Sequence, residues 1–156
     1  MLVREFATRD FEGLVVCYRA GFPNGHNRYS LARLARFQRD LLFVAEERGK
    51  IVGTIIGIAS PREAWLTALT VFPGLPHLQR DCASRLIYML ATRFKSLGFQ
   101  NAFATTSRRS VLKLAQAIGA VNITEEENFY FDGKNRWVIE AAADSLPKLT
   151  RFLARW

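Results

Sequence analysis

The side chains best able to do chemistry in this chain are two cysteines, two histidines and a scatter of carboxylates. Cys82 lies between Arg80 and Arg85, near the start of a predicted helix, where nearby cations would lower a thiol pKa. A nucleophilic thiol also needs a base, and the chain offers only His26 and His77. No spacing selects either, so Cys82 is expected to be a small, partly buried residue. No metal site is expected, because Cys17, Cys82, His26 and His77 are scattered without ligand spacing. Glu125-Glu126-Glu127 reads as a solvated strand end, and two cysteines make no disulfide framework.

The elements that must position any site come from a chain of 156 residues, expected to fold as one domain over 1–156. With 49% apolar and 23% charged residues it has the composition of a folded soluble protein. No apolar run is long enough to span a bilayer, and the first residues read as a strand rather than a leader, so a cytoplasmic setting without membrane contact is expected. Lys and Arg number 22 and Asp and Glu 14, for a net charge of +8. Such a surface attracts polyanions: nucleic acid, anionic lipid or a phosphorylated cofactor. The chain lacks a basic tail, an Arg/Gly-rich repeat and a helix-turn-helix pattern, so nucleic acid ranks last.

Periodicity supplies the elements. Leu2–Phe6 reads as a strand, and Thr8 as the cap of a helix with Phe11, Leu14, Val15 and Tyr18 on one face. A Gly/Pro/Asn-rich loop over Gly21–Tyr29 leads to a second helix, which Ser30 would cap. Leu41–Ile58 reads as two strands around an Arg48-Gly49 turn, and Ala64–Val71 as a third. Ala83, Leu86, Leu90, Phe94 and Leu97 mark a helix stopped by Gly98. A strand over Phe99–Thr105 follows, then a helix with Val111, Leu114, Ala115 and Ile118, stopped by Gly119. Val121–Phe131 and Arg136–Ala142 suggest a closing hairpin around Asp132-Gly133. A terminal amphipathic helix over 145–156 carries Leu146, Leu149, Leu153 and Trp156. Hairpins mixed with βαβ connections predict an α/β fold, with a mixed sheet and helices on both faces.

This order, with four local motifs, resembles the GNAT superfamily of acyl-CoA N-acyltransferases over roughly residues 1–142. Phe43-Val-Ala-Glu-Glu-Arg-Gly-Lys-Ile-Val-Gly-Thr54 is similar to the family's central hairpin, and Trp65–Pro73 to its next strand, which ends in hydrophobic-x-Val-x-Pro. Ala83–Phe99 resembles the cofactor helix, and Leu114–Ala120 the last helix. The resemblance implies acetyl-CoA as co-substrate, without a metal. The backbone of Leu69, Thr70 and Val71 would contact the donor. Its pyrophosphate would rest on the helix start formed by Gln79, Arg80, Asp81, Cys82, Ala83, Ser84 and Arg85, because a first helical turn has unpaired N–H groups and the positive end of the dipole. The family's Arg/Gln-x-x-Gly-x-Gly/Ala loop is altered. Counting back from Gly98 puts Asp81 and Ala83 on the glycine places, and counting from Gln79 puts Cys82 and Ser84 there. The other reading of Asp81 is a helix cap.

Amine acylation needs a base for the ammonium and an acid for the leaving thiolate. The family's acid, a Tyr on the last helix, is replaced by Ala115. Its base, a Glu on the strand before the cofactor loop, corresponds to Thr67, with Glu63 at the strand's start. Glu63 and Tyr130 are the catalytic candidates, beside His77 and Ser110, and transfer by positioning alone needs neither group. The implied activity is acetyl transfer from acetyl-CoA to a small-molecule or protein amine, with a homodimer as one possible assembly. The alternative is a GNAT-like module without catalysis that binds CoA or an anionic partner.

Overall fold

Among the described residues, runs of β-branched and aromatic residues become seven strands, and the 3.6-residue apolar stripes become four helices. The computed structural model describes residues 1–73, 76–107, 109–117, 120–129, 133–142 and 145. In chain order the elements are β1 (Leu2–Glu5), α1 (Phe11–Gly21), α2 (Arg28–Phe37), β2 (Leu42–Glu47), β3 (Lys50–Ala59), β4 (Ala64–Val71), α3 (Pro76–Ser96), β5 (Asn101–Thr106), α4 (Arg109–Ala117), β6 (Asn122–Glu126) and β7 (Arg136–Ala142). Short 3-10 turns precede α1 and β2. The strands form one mixed sheet in the order β1-β2-β3-β4-β5-β7-β6. All neighbours run antiparallel except β4 and β5. This is the α/β class expected, with the expected order of elements through Ala142.

The central strands are buried on both faces. In β2, Phe43 and Ala45 join Leu86, Leu90 and Phe94 of α3 in one apolar cluster. Leu42 and Val44 join Leu14, Val15 and Leu31 of α1 and α2 in another. A period of two sends alternate side chains to opposite faces, so one continuous apolar run serves both clusters. α3 lies close against β3 because of glycine: a Cβ at Gly57 would stand 2.7 Å from Leu90 Cδ1. The Arg48-Gly49 turn takes positive φ at both residues (50° and 75°), as a tight two-residue hairpin requires.

Several local expectations are corrected. Thr8 does not cap α1; it opens a 3-10 turn, and the Asp10 carboxylate accepts from the Ala7 N–H at 2.8 Å. Ser30 does not cap α2 either. Asn27 does, its side chain accepting from the Ser30 N–H at 2.9 Å, so α2 starts three residues earlier. Strand β6 stops at Glu126 rather than continuing to Phe131. Phe131, Asp132, Ile118 and Gly119 lie outside the described residues, as does the predicted terminal helix beyond Ser145. Among the described residues, no helix is long and apolar enough to cross a membrane.

Candidate functional site

The site follows from one irregularity in β4. Strand β3 pairs Ile56 with Ala68 and Gly57 with Leu66, leaving Thr67 as a bulge. The Thr67 hydroxyl donates to Ile56 O at 3.0 Å. A bulge bends its strand and can end pairing on the far side. β4 and β5 are paired only at Trp65–Phe103 and Leu66–Ala104, before the bulge. Beyond it they part. The Trp65 and Phe103 rings stack at the last region of pairing, 5.0 Å apart and tilted by 25°.

The parted strands open a cleft of about 560 Å³ that reaches both faces of the sheet. Gly21 and Phe22 at the end of α1 line one side, and Ala83, Ile87 and Ala91 of α3 the other. Val111 and Ala115 of α4 complete the wall. The lining is mainly apolar, and among the described lining residues the polar side chains are hydroxyls: Thr67, Thr70, Thr105, Thr106 and Ser107.

Backbone orientation along the gap follows from one hydrogen bond. The Phe72 N–H donates to Val52 O at 2.8 Å. In an antiparallel pair, successive residues turn their backbone groups alternately to one neighbour and the other. Phe72 and Thr70 therefore turn theirs to β3, and Leu69 and Val71 turn theirs into the gap. Leu69 and Val71 also send their side chains toward α3. Thr70 differs from the backbone contact expected of it, since its main chain is committed to β3 and its side chain is what it offers the cleft.

The helix start is also displaced. α3 begins at Pro76, and Asp81 lies in its second turn, so Asp81 is not a cap. Unpaired N–H groups belong to a helix's first turn, here His77 and Leu78, whereas the N–H groups of Asp81 to Arg85 are used within the helix. Gln79 Nε2 reaches back to Phe72 O and Pro73 O at 3.5 and 3.4 Å. Asp81 accepts from Arg85 Nε at 2.9 Å, an exposed i,i+4 pair. Ala83 lines the cleft, while Cys82 and Ser84 are buried. Nothing of the side chains of Arg80, His77 and Ser110 falls within the described residues.

Burial pushes the Cys82 thiol up to about 12, with Cys17 and Asp81 adding to the shift. This overturns the idea of a thiol activated by neighbouring cations. Burial likewise raises Cys17 to about 11. Glu63 stands outside the cleft lining, its carboxylate accepting from Trp65 Nε1 at 3.0 Å. Tyr130 lies outside the described residues. Ala115, buried at the cleft wall, leaves a methyl group where the resemblance places an acid. Sequence reasoning missed the Thr67 bulge and the isolated Thr70 hydroxyl, and no local pattern in the sequence marks either.

A mixed sheet parted between two parallel strands, with a helix starting beside the parting, defines the α/β fold of this chain. No family model and no curated protein matches the sequence. Solved structures do match the fold. Ard1 from Thermoplasma volcanium is 18% identical and aligns with a TM-score of 0.78, covering 90% of this chain and 96% of that one. The ribosomal-protein-S18-alanine N-acetyltransferase from Escherichia coli is also 18% identical, with a TM-score of 0.71 over 91% and 93% of the two chains. The diaminobutyrate acetyltransferase EctA from Paenibacillus lautus, solved with its substrate and coenzyme A, is 22% identical, with a TM-score of 0.68 over 88% and 93%. The chain has the GNAT fold.

Proposed function

We propose that this chain is an N-acetyltransferase that moves the acetyl group of acetyl-CoA to an amine. The observation that carries this reading is the gap between β4 and β5, into which Leu69 and Val71 turn their backbone groups. An elongated chain of amides and methylenes can bond there as a strand would, with apolar walls on either side. That is the chemistry of a pantetheine arm. The start of α3 lies beyond the end of β4, and its free N–H groups and dipole suit a pyrophosphate. The acetyltransferases that share the fold, one of them solved with coenzyme A, support the same reading.

The transfer is direct. The amine nitrogen attacks the thioester carbon, the carbonyl π electrons move to oxygen, and collapse expels the CoA thiolate. The amine gives up its protons to water and the thiolate takes one from water. A backbone N–H of β4 facing the gap would polarise the carbonyl as negative charge develops. With Ala115 in the wall, the protein's own contribution here is to align the reactants, while water carries the protons.

Calorimetric titration with acetyl-CoA tests the reading. Saturable binding is expected, with release of free thiol when an accepted amine is added. No heat and no thermal shift at millimolar acetyl-CoA would remove the transferase reading.

A further inference from the structure

Thr70 is 4% exposed, and its Oγ1 makes no hydrogen bond. It is the one buried side-chain nitrogen or oxygen in that condition among the described residues. Such groups are almost always paired in folded proteins, because an unpaired one costs stability. The exception lies in the cleft wall.

Its place in the wall gives it a side. Leu69 and Val71 pack toward α3, so Thr70 faces the opposite way, toward α1. There it meets Gly21, where an added Cβ would stand 2.6 Å from Thr70 Cγ2 and 3.0 Å from Oγ1. Across the gap, Ala102 belongs to the α3 cluster, so Phe103 and Thr105 point to the same face as Thr70. The end of α1, Thr70, Phe103 and Thr105 thus surround the cleft on the face opposite α3. A donor lying along α3 leaves this face open to the attacking amine.

We propose that Thr70 is the acceptor-side contact of the transfer, its hydroxyl hydrogen-bonding the amine that attacks the thioester. This rests on the acetyltransferase reading. In the free protein the end of α1 at Gly21 closes Oγ1 off from water; the amine reaches it as that wall shifts, and because no hydrogen bond holds the hydroxyl it gives up no partner. It takes part in no covalent step: it accepts a hydrogen bond from the amine and orients the nitrogen lone pair toward the carbonyl carbon.

The test uses the full chain as wild type, Thr70→Val and Thr70→Ser. Each is assayed with acetyl-CoA and four amines: ethanolamine, 2-phenylethylamine, spermidine and an alanine-terminated hexapeptide. For an amine that the wild type acetylates, Thr70→Val should lower kcat/KM by about tenfold or more, and Thr70→Ser should recover most of the loss. The acetyl-CoA dissociation constant should stay within about twofold. The melting temperature of Thr70→Val should equal or exceed that of the wild type, because valine removes an unsatisfied group and keeps the shape. A lower melting temperature would show a structural hydroxyl and overturn the assignment. So would equal weakening of acetyl-CoA binding, which would put Thr70 on the donor side. If the wild type binds acetyl-CoA but acetylates none of the four amines, the acceptor assignment falls alone. If it does not bind acetyl-CoA, the transferase reading falls first.

Discussion

At Asp10 the carboxylate takes two hydrogen bonds from Arg4, at 2.6 and 2.8 Å, and a third from the Ala7 N–H at 2.8 Å. Arg4 also reaches Glu46 Oε2 at 2.6 Å, tying β1 to β2 and to the turn before α1. Arg4 is the main cause holding the Asp10 carboxyl below the usual aspartate range. A carboxyl with a depressed folded-state pKa contributes stability above its unfolded value, near 3.9, and loses it as pH falls further. Asp10→Asn should therefore cost about 2 kcal/mol at pH 7 in urea unfolding, the scale of hydrogen bonds to charged groups. Its deficit against the wild type should shrink as pH falls below about 4. The Cys82 thiol, pushed up to about 12 by burial, gives a second expectation at this scale. Iodoacetamide at pH 8 should leave it unmodified in the native protein and label it after unfolding, and fast native labelling of Cys82 would contradict the burial. Asp10 is an ordinary Asp in the sequence, and only its meeting with Arg4 and Glu46 makes it structural. The Thr70 hydroxyl is equally silent in sequence, because what distinguishes it is a missing partner in three dimensions.

Among the elements, the hairpin of β2 and β3 was the most legible, since its turn residues and β-branched runs agree. The bulge at Thr67 was not, because a bulge depends on register against β3 and leaves no mark on the alternation of β4. The start of α3 was misplaced for a local reason. Pro76 follows a Pro-Gly pair that suits a turn, yet proline at a first helical position is also a start signal. The resemblance names Leu69, Thr70 and Val71 together, and only the Phe72–Val52 hydrogen bond separates the backbone of Leu69 and Val71 from that of Thr70. Two predictions belong here. Gly57→Ala forces Leu90 and Phe94 away from β3 and should destabilise the fold by about 1–3 kcal/mol, the cost of overpacking. Asp81→Asn releases Arg85 from its i,i+4 pair on an exposed face of α3. Acetyl-CoA should then bind more tightly at low salt by about twofold, and the gain should fade near 1 M salt as screening shortens the reach of charge. Equal affinity at low salt would show that this pair stands too far from the phosphates to matter.

For the molecule as a whole, composition and periodicity gave the class and the order of elements, and neither says which molecule the cleft admits, because its lining is brought together only by the fold. The parted strands have a mechanical consequence. Strands β1–β4 form one hydrogen-bonded block and β5–β7 another, and between them the sheet is continuous at only two residue pairs. The free protein is in effect two plates joined by a short seam, with α3 packed on the plate of β1 to β4. A ligand bonded to the backbone of both plates would act as an extra strand and convert the seam into a continuous sheet. Amide hydrogen exchange should then show two sets of opening free energies in the free protein, the lower one over residues 101–106 and 136–142. Acetyl-CoA at about a hundred times its dissociation constant should add about 2.7 kcal/mol to global stability and bring the two sets together. The ligand is thus expected to set the stiffness of the sheet as well as to supply the group transferred.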